Sequence, residues 1–199
     1  MKKVKTLKQA LPWILVIGGI IGFICAFIIM FEKLHLLANP AYKPSCSINP
    51  IISCGSVMSS WQGSVFGFPN PILGLAGFSI VTTIGMAMLA GAKFKRWFWL
   101  GLQAGAIFGV VFVHWLFFQS VYRIEALCPY CIVVWTVTIP IFWYTTLHNL
   151  REGFIATPKR LKGLANFLQR HHGDILIVWF IVIAGLILHH FWYYWQTLL

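Results

Sequence analysis

The chain has 199 residues, 59% of them hydrophobic and only 10% charged, with a mean hydropathy of +0.81. That balance excludes an ordinary soluble domain and indicates an integral membrane protein. The formal net charge of +11 suggests affinity for nucleic acid only until the charges are placed along the chain, where they mark orientation instead.

Five apolar runs, 12–31, 71–91, 97–118, 128–147 and 175–195, approach the ~20 residues that a bilayer crossing requires. Backbone polar groups must be satisfied inside lipid, and the alternating pattern of a barrel strand is absent, so the runs predict helices. The predicted fold class is an all-α integral membrane protein: a four-helix transmembrane bundle plus a fifth transmembrane helix. Lys2, Lys3, Lys5 and Lys8 precede the first run, Lys93, Lys95 and Arg96 separate the second from the third, and Arg151, Lys159, Arg160, Lys162 and Arg170 separate the fourth from the fifth. Only Lys33, Lys43 and Arg123 remain for the other side. The asymmetry places the N-terminus in the cytoplasm and the C-terminus outside. Three segments are expected: a four-helix unit over 1–150 with a long outer loop at 32–70, a basic inner loop over 151–173, and the fifth span over 174–199.

The first run follows the lysines in the manner of a secretory signal, but it is longer than an h-region and lacks a small-x-small cleavage site before Glu32, which predicts a retained anchor. Cys25 near its middle has no polar partner in view and reads as packing. Gly18 and Gly22 form a small-xxx-small face, as do Gly101, Gly105 and Gly109 on span three, and both predict helix–helix contact. The outer loop carries Cys46 and Cys54, eight residues apart, among Pro44, Asn49 and Pro50, which oppose a helix and predict a loop pair able to move. After Cys54, residues 55–61 suggest a short amphipathic helix with Val57, Met58 and Trp61 towards lipid. Ser60 by itself reads as a solvated or helix-end serine.

Span two opens with Asn70-Pro71, a helix-start signature with Asn70 as cap. His114 on span three, and His189 and His190 on span five, stand without neighbouring ligands at metal spacing and read as interhelical histidines; no metal site is expected. The short loop 119–127 makes spans three and four antiparallel neighbours and leads to Cys128-Pro129-Tyr130-Cys131. Two thiols three residues apart at the positive end of a helix are close enough to bridge and favour a thiolate, the attacking species in disulfide exchange. Half a zinc site or a structural bridge are the competing readings. Trp135 lies one turn below Cys131 and matters only if a ligand lies beside that thiol. The inner loop has Leu161, Leu164 and Leu168 at helical spacing, as in a helix resting on anionic lipid. The aromatic run 191–195 reads as an interfacial belt.

On this topology Cys46, Cys54, Cys128 and Cys131 all face the exterior, where disulfides persist. A mobile loop pair and a fixed helix-end pair form a relay: the first meets a protein, the second a lipid-soluble carrier. A transporter would carry charges deep in a span, and none is present. A non-enzymatic scaffold or a metal-binding protein would keep its cysteines permanently bridged or bound.

The order of Cys46-x₇-Cys54, Ser60, Asn70 before span two, and a CxxC opening span four resembles the vitamin K epoxide reductase family and its bacterial homologues, over roughly residues 12–147. The quinone-linked disulfide oxidases of DsbB type carry the two cysteine motifs in the reverse order. The resemblance implies a quinone-dependent disulfide oxidoreductase of the bacterial inner membrane that supports disulfide bond formation. It implies that Cys46 and Cys54 shuttle electrons, with Cys46 meeting the external protein and Cys54 attacking Cys128, and that Cys131 faces a quinone, ubiquinone or menaquinone. It also assigns Ser60 and Asn70 to the quinone site, Asn70 by hydrogen-bonding a ring carbonyl. Trp135 stands where the animal enzymes carry a tyrosine; an indole N–H donates but does not accept. Because the chain stops at Leu199, without the thioredoxin-like domain of many bacterial relatives, the expected partner is a separate exported thioredoxin-like (DsbA-like) protein.

Overall fold

The computed structural model describes residues 2–156, 158 and 162–196, without the side chains of residues 2–8 and 195. Lys159, Arg160 and Leu161 of the inner loop and the side chains of Lys2, Lys3, Lys5, Lys8 and Trp195 therefore lie outside the described residues.

Eight helices are described: α1 (Lys2–Ala38), α2 (Cys54–Ser59), α3 (Pro71–Leu89), α4 (Arg96–Gln119), α5 (Pro129–Arg151), α6 (Lys162–Arg170), α7 (His172–His190) and α8 (Trp192–Trp195). Five of them, α1, α3, α4, α5 and α7, are long and apolar enough to cross a membrane, so the chain is an all-α, multi-pass membrane protein. α1 continues well beyond the apolar run at both ends. Pro71 and Pro129 occupy the first turns of α3 and α5, where the missing N–H has no partner to lose.

α1 lies between α3 and α5, and α4 packs on the other side of α5. Close approach of α1 to α3 depends on missing side chains. A Cβ on Gly22 would sit 2.5 Å from the Phe78 ring, and one on Gly85 would meet the Pro12 carbonyl at 2.9 Å. Gly18 faces Ile141 of α5 less tightly, a Cβ there lying 3.2 Å from the tip of that side chain. The glycines of α4 divide: a Cβ on Gly109 would meet Thr138 of α5 at 3.5 Å, the helix contact expected, whereas the other two stand apart. Nothing lies within 4 Å of a Cβ on Gly101 or Gly105, so these two open space where the sequence predicted helix contact.

α7 is joined to the bundle by polar contacts. His114 Nδ1 donates to the Val110 carbonyl (2.7 Å), leaving Nε2 to accept from Trp179 Nε1 at 2.9 Å. This is the interhelical histidine expected from the sequence, with both ring nitrogens used. Trp143 Nε1 donates to the His172 carbonyl at 3.0 Å, and Leu176 packs with Val110, Ile139, Trp143 and Leu147. α6 is amphipathic, with Leu164 and Phe167 exposed and Leu168 turned towards the α5–α7 contact.

Candidate active site

The site lies at one end of the bundle, where the long loop after α1 meets the chain entering α5. An isolated parallel bridge pairs Ile52 with Leu127: Leu127 N donates to Ile51 O at 2.7 Å, and Ser53 N donates to Leu127 O at 3.0 Å. Asn49 Oδ1 accepts from the N–H groups of Ile51 and Ile52 and shapes the turn before this bridge. Cys54 is the second residue beyond Ile52 and Cys128 the first beyond Leu127, so the backbone pairing brings the two sulfurs together. Cys54 Sγ lies 3.2 Å from Cys128 Sγ, and both residues are fully buried.

Cys46 and Cys54 form a disulfide, while Cys128 and Cys131 carry free thiols. The structure thus brings all four candidate cysteines into one cluster, with Ile29 and Met58 packed among them. Cys128 is the N-cap residue of α5, and Cys131 follows in its first turn, so both sulfurs stand at the start of that helix. That is the helix-start environment in which a thiolate is favoured. Among the described residues no group of three or more His, Cys, Asp or Glu is placed to hold a metal ion.

α2 starts at Cys54, with Ser53 as its cap accepting from Ser56 N. The helix is shorter than the sequence suggested and faces differently. Met58 turns inward against the cysteines, Val57 packs at their edge, and only Trp61 points outward, because Cys54 and Met58 share one helical face and the disulfide fixes that face inward.

Beside this cluster opens an apolar cavity of about 570 Å³, within the range of sites that take small organic ligands. Cys131 and Trp135 of α5, Ala26 and Ile29 of α1, Gly74 and Phe78 of α3, and the glycine stripe of α4 contribute to its walls. Trp135 is buried, edge-on to Phe117 at 5.6 Å. Asn70 reaches the wall too, but does not cap α3. Its amide donates to Gln62 O at 2.6 Å and its Oδ1 accepts from Val65 N at 3.2 Å, tying down the turn before the helix and leaving one amide hydrogen. Ser60 donates to Val57 O at 2.7 Å and is not a wall residue; it fixes the turn between α2 and the following 3₁₀ turn (Trp61–Ser64).

The vitamin K epoxide reductase family profile matches residues 13–146. The chain belongs to the vitamin K epoxide reductase family. The match runs from α1 into α5 and takes in all four clustered cysteines, leaving α6, α7 and α8 beyond it. A comparison with curated proteins finds no match. The chain is accordingly a membrane protein of a thiol–disulfide oxidoreductase family that generally uses a quinone and typically acts with thioredoxin-like partners.

Two groups beside the cysteines were not singled out from sequence. Glu32, 6% exposed, accepts from Tyr42 Oη at 2.8 Å and from Ser45 Oγ at 2.6 Å, so the end of α1 grips the loop next to Cys46. The bond holds the Tyr42 hydroxyl above its ordinary pKa, since the carboxylate favours the protonated phenol. Lys33 donates to Met58 O at 2.5 Å and stands in the cavity wall. In sequence both residues registered only as charges closing the first apolar run.

Proposed function

We propose that the protein oxidises an exported thioredoxin-like protein and passes the electrons through its two cysteine pairs to a membrane quinone, supporting disulfide bond formation. Residues 1–150 would form the redox unit, 151–173 a cytoplasmic loop and 174–199 an accessory span, in a bacterial cytoplasmic membrane with the N-terminus inside. The observation that carries this reading is the 3.2 Å contact between Cys54 and Cys128 beside a Cys131 that opens on an apolar cavity. One end of this sulfur chain is carried by the outer loop, where movement of the loop would offer it to a water-borne dithiol, and the other opens on the cavity a lipid-soluble ring would enter.

In the first step a thiolate of the partner attacks Cys46. The Cys46–Cys54 bond breaks, the partner leaves as its own disulfide, and two thiols remain in the loop. Cys54 then attacks Cys128 in a Cys128–Cys131 bridge. Cys46 closes on Cys54 again, returning the loop disulfide and leaving two thiols at the start of α5. Loop bridge closed and helix thiols free is the state seen here. When the Cys128–Cys131 bond re-forms, the pair gives up two electrons and two protons. Ubiquinone or menaquinone, as co-substrate, would take up both. Cys131 is the sulfur that faces the ring, Trp135 and the α4 glycines shape the slot, Asn70 offers its remaining amide hydrogen to a carbonyl, and Ser60 holds the turn on which that wall depends.

The test mixes purified protein, a reduced thioredoxin-like partner and quinone, and follows quinol formation. Wild type is expected to turn over, and Cys131→Ala to lose the activity by more than about a hundredfold, as for a group that reacts directly. Equal rates in the two proteins would end the reading.

A further inference from the structure

Lys33 presents a cation to an otherwise apolar chamber. On α1 it follows Ala26 and Ile29 at helical spacing, so the three share the face that borders the cavity, whereas Glu32, one position away, is turned to Tyr42 and Ser45. Among the described residues it is the one charged side chain in the cavity wall, and no carboxylate pairs with it. Its single described partner is the Met58 carbonyl, and an ammonium has three hydrogens to donate. A half-buried cation next to apolar surface carries a desolvation cost that acceptor oxygens offset. Met58 lies in the cysteine cluster against which Cys131 packs, so the donor and the reacting thiol stand at the same end of the cavity.

Resting on the quinone reading above, we propose that the Lys33 ammonium is the hydrogen-bond donor for a ring oxygen of the quinone, held in place by the Met58 carbonyl. It binds the oxidised ring through an ion–dipole hydrogen bond and offsets the negative charge that gathers on the oxygen as the Cys128–Cys131 pair is oxidised. The balance of the step is unchanged: one disulfide forms, and two electrons and two protons leave the thiols. Lys33 supplies position and charge, and no net proton.

The test uses the full chain in lipid nanodiscs, as wild type, Lys33→Met and Lys33→Arg. Binding of a short-tailed, water-soluble benzoquinone to the fully oxidised protein is followed by tryptophan quenching, without reductant and hence without turnover. Separately, reduction of the loop bridge by dithiothreitol is followed without quinone. Lys33→Met is expected to weaken binding about tenfold or more, the scale of one hydrogen bond to a charged group, and Lys33→Arg to stay within about threefold of wild type. Loop-bridge reduction should be alike in all three. The proposal is overturned if Lys33→Met binds quinone as wild type does. It is also overturned if Lys33→Arg fails to restore binding while both variants alter loop-bridge reduction, because the lysine would then serve only to anchor α2. Wild type that binds no quinone would overturn this proposal together with the acceptor reading, a result distinct from either.

Discussion

Cys46 is only 6% exposed, so an incoming thiolate reaches it only after the loop has moved. The Glu32 grip on Tyr42 and Ser45 is what resists that movement. Glu32→Gln should therefore speed reduction of the loop bridge by a small thiol about tenfold, the scale of weakening a charge-assisted hydrogen bond, as measured by quenched-flow alkylation. A slower rate would place the resistance elsewhere. The Tyr42 hydroxyl has a raised pKa, so its contribution to loop closure is complete below the unfolded value of about 10 and fades as pH rises through the higher folded value. Loop-bridge reduction should accordingly gain an extra acceleration at alkaline pH that Tyr42→Phe lacks, once the titration of the attacking thiol is subtracted. The four cysteines were legible in sequence because thiol chemistry is rare and their spacing is specific. Glu32 and Lys33 were not, because a charged pair closing an apolar run has an ordinary explanation in the membrane interface, and hydropathy carries no information on which carbonyl or hydroxyl each side chain meets.

Helix-level patterns were read well where lipid dictates them and less well where two surfaces compete for a residue. The five apolar runs became five long helices because an unpaired amide in hydrocarbon costs several kcal/mol. Glycine spacing was ambiguous: small residues permit either a close neighbour or an empty slot, and the sequence of α4 does not distinguish them. The two cases separate on substitution. Gly22→Ala should lower stability by about 1–3 kcal/mol, because its Cβ meets the Phe78 ring, and should shift the thermal melt. Gly105→Leu has open space around its Cβ and should fold normally while occupying the cavity, so quinol formation falls and dithiothreitol reduction of the loop bridge does not. A loss of fold in Gly105→Leu would contradict the open stripe. On α7, Trp179→Phe leaves His114 Nε2 without its donor and should cost about 1 kcal/mol in stability. Since α7 lies outside the cavity wall, turnover should be unchanged.

For the molecule as a whole, the positive-inside reading predicts that a membrane-impermeant amine reagent applied outside intact cells modifies Lys43 and spares Lys93 and Lys95, all three of which are exposed in the structure. The reverse pattern would turn the cysteine cluster towards the cytosol and remove its oxidising surroundings. The two sulfur pairs, 74 residues apart between Cys54 and Cys128, are aligned by amide hydrogens exchanged across the Ile52–Leu127 pairing. Such an alignment is blind to side-chain identity. Residues 51, 52 and 127 are therefore free to drift among apolar types at little redox cost, whereas Ser53→Pro or Leu127→Pro, each deleting one N–H, should uncouple the loop from the helix while leaving every cysteine in the chain.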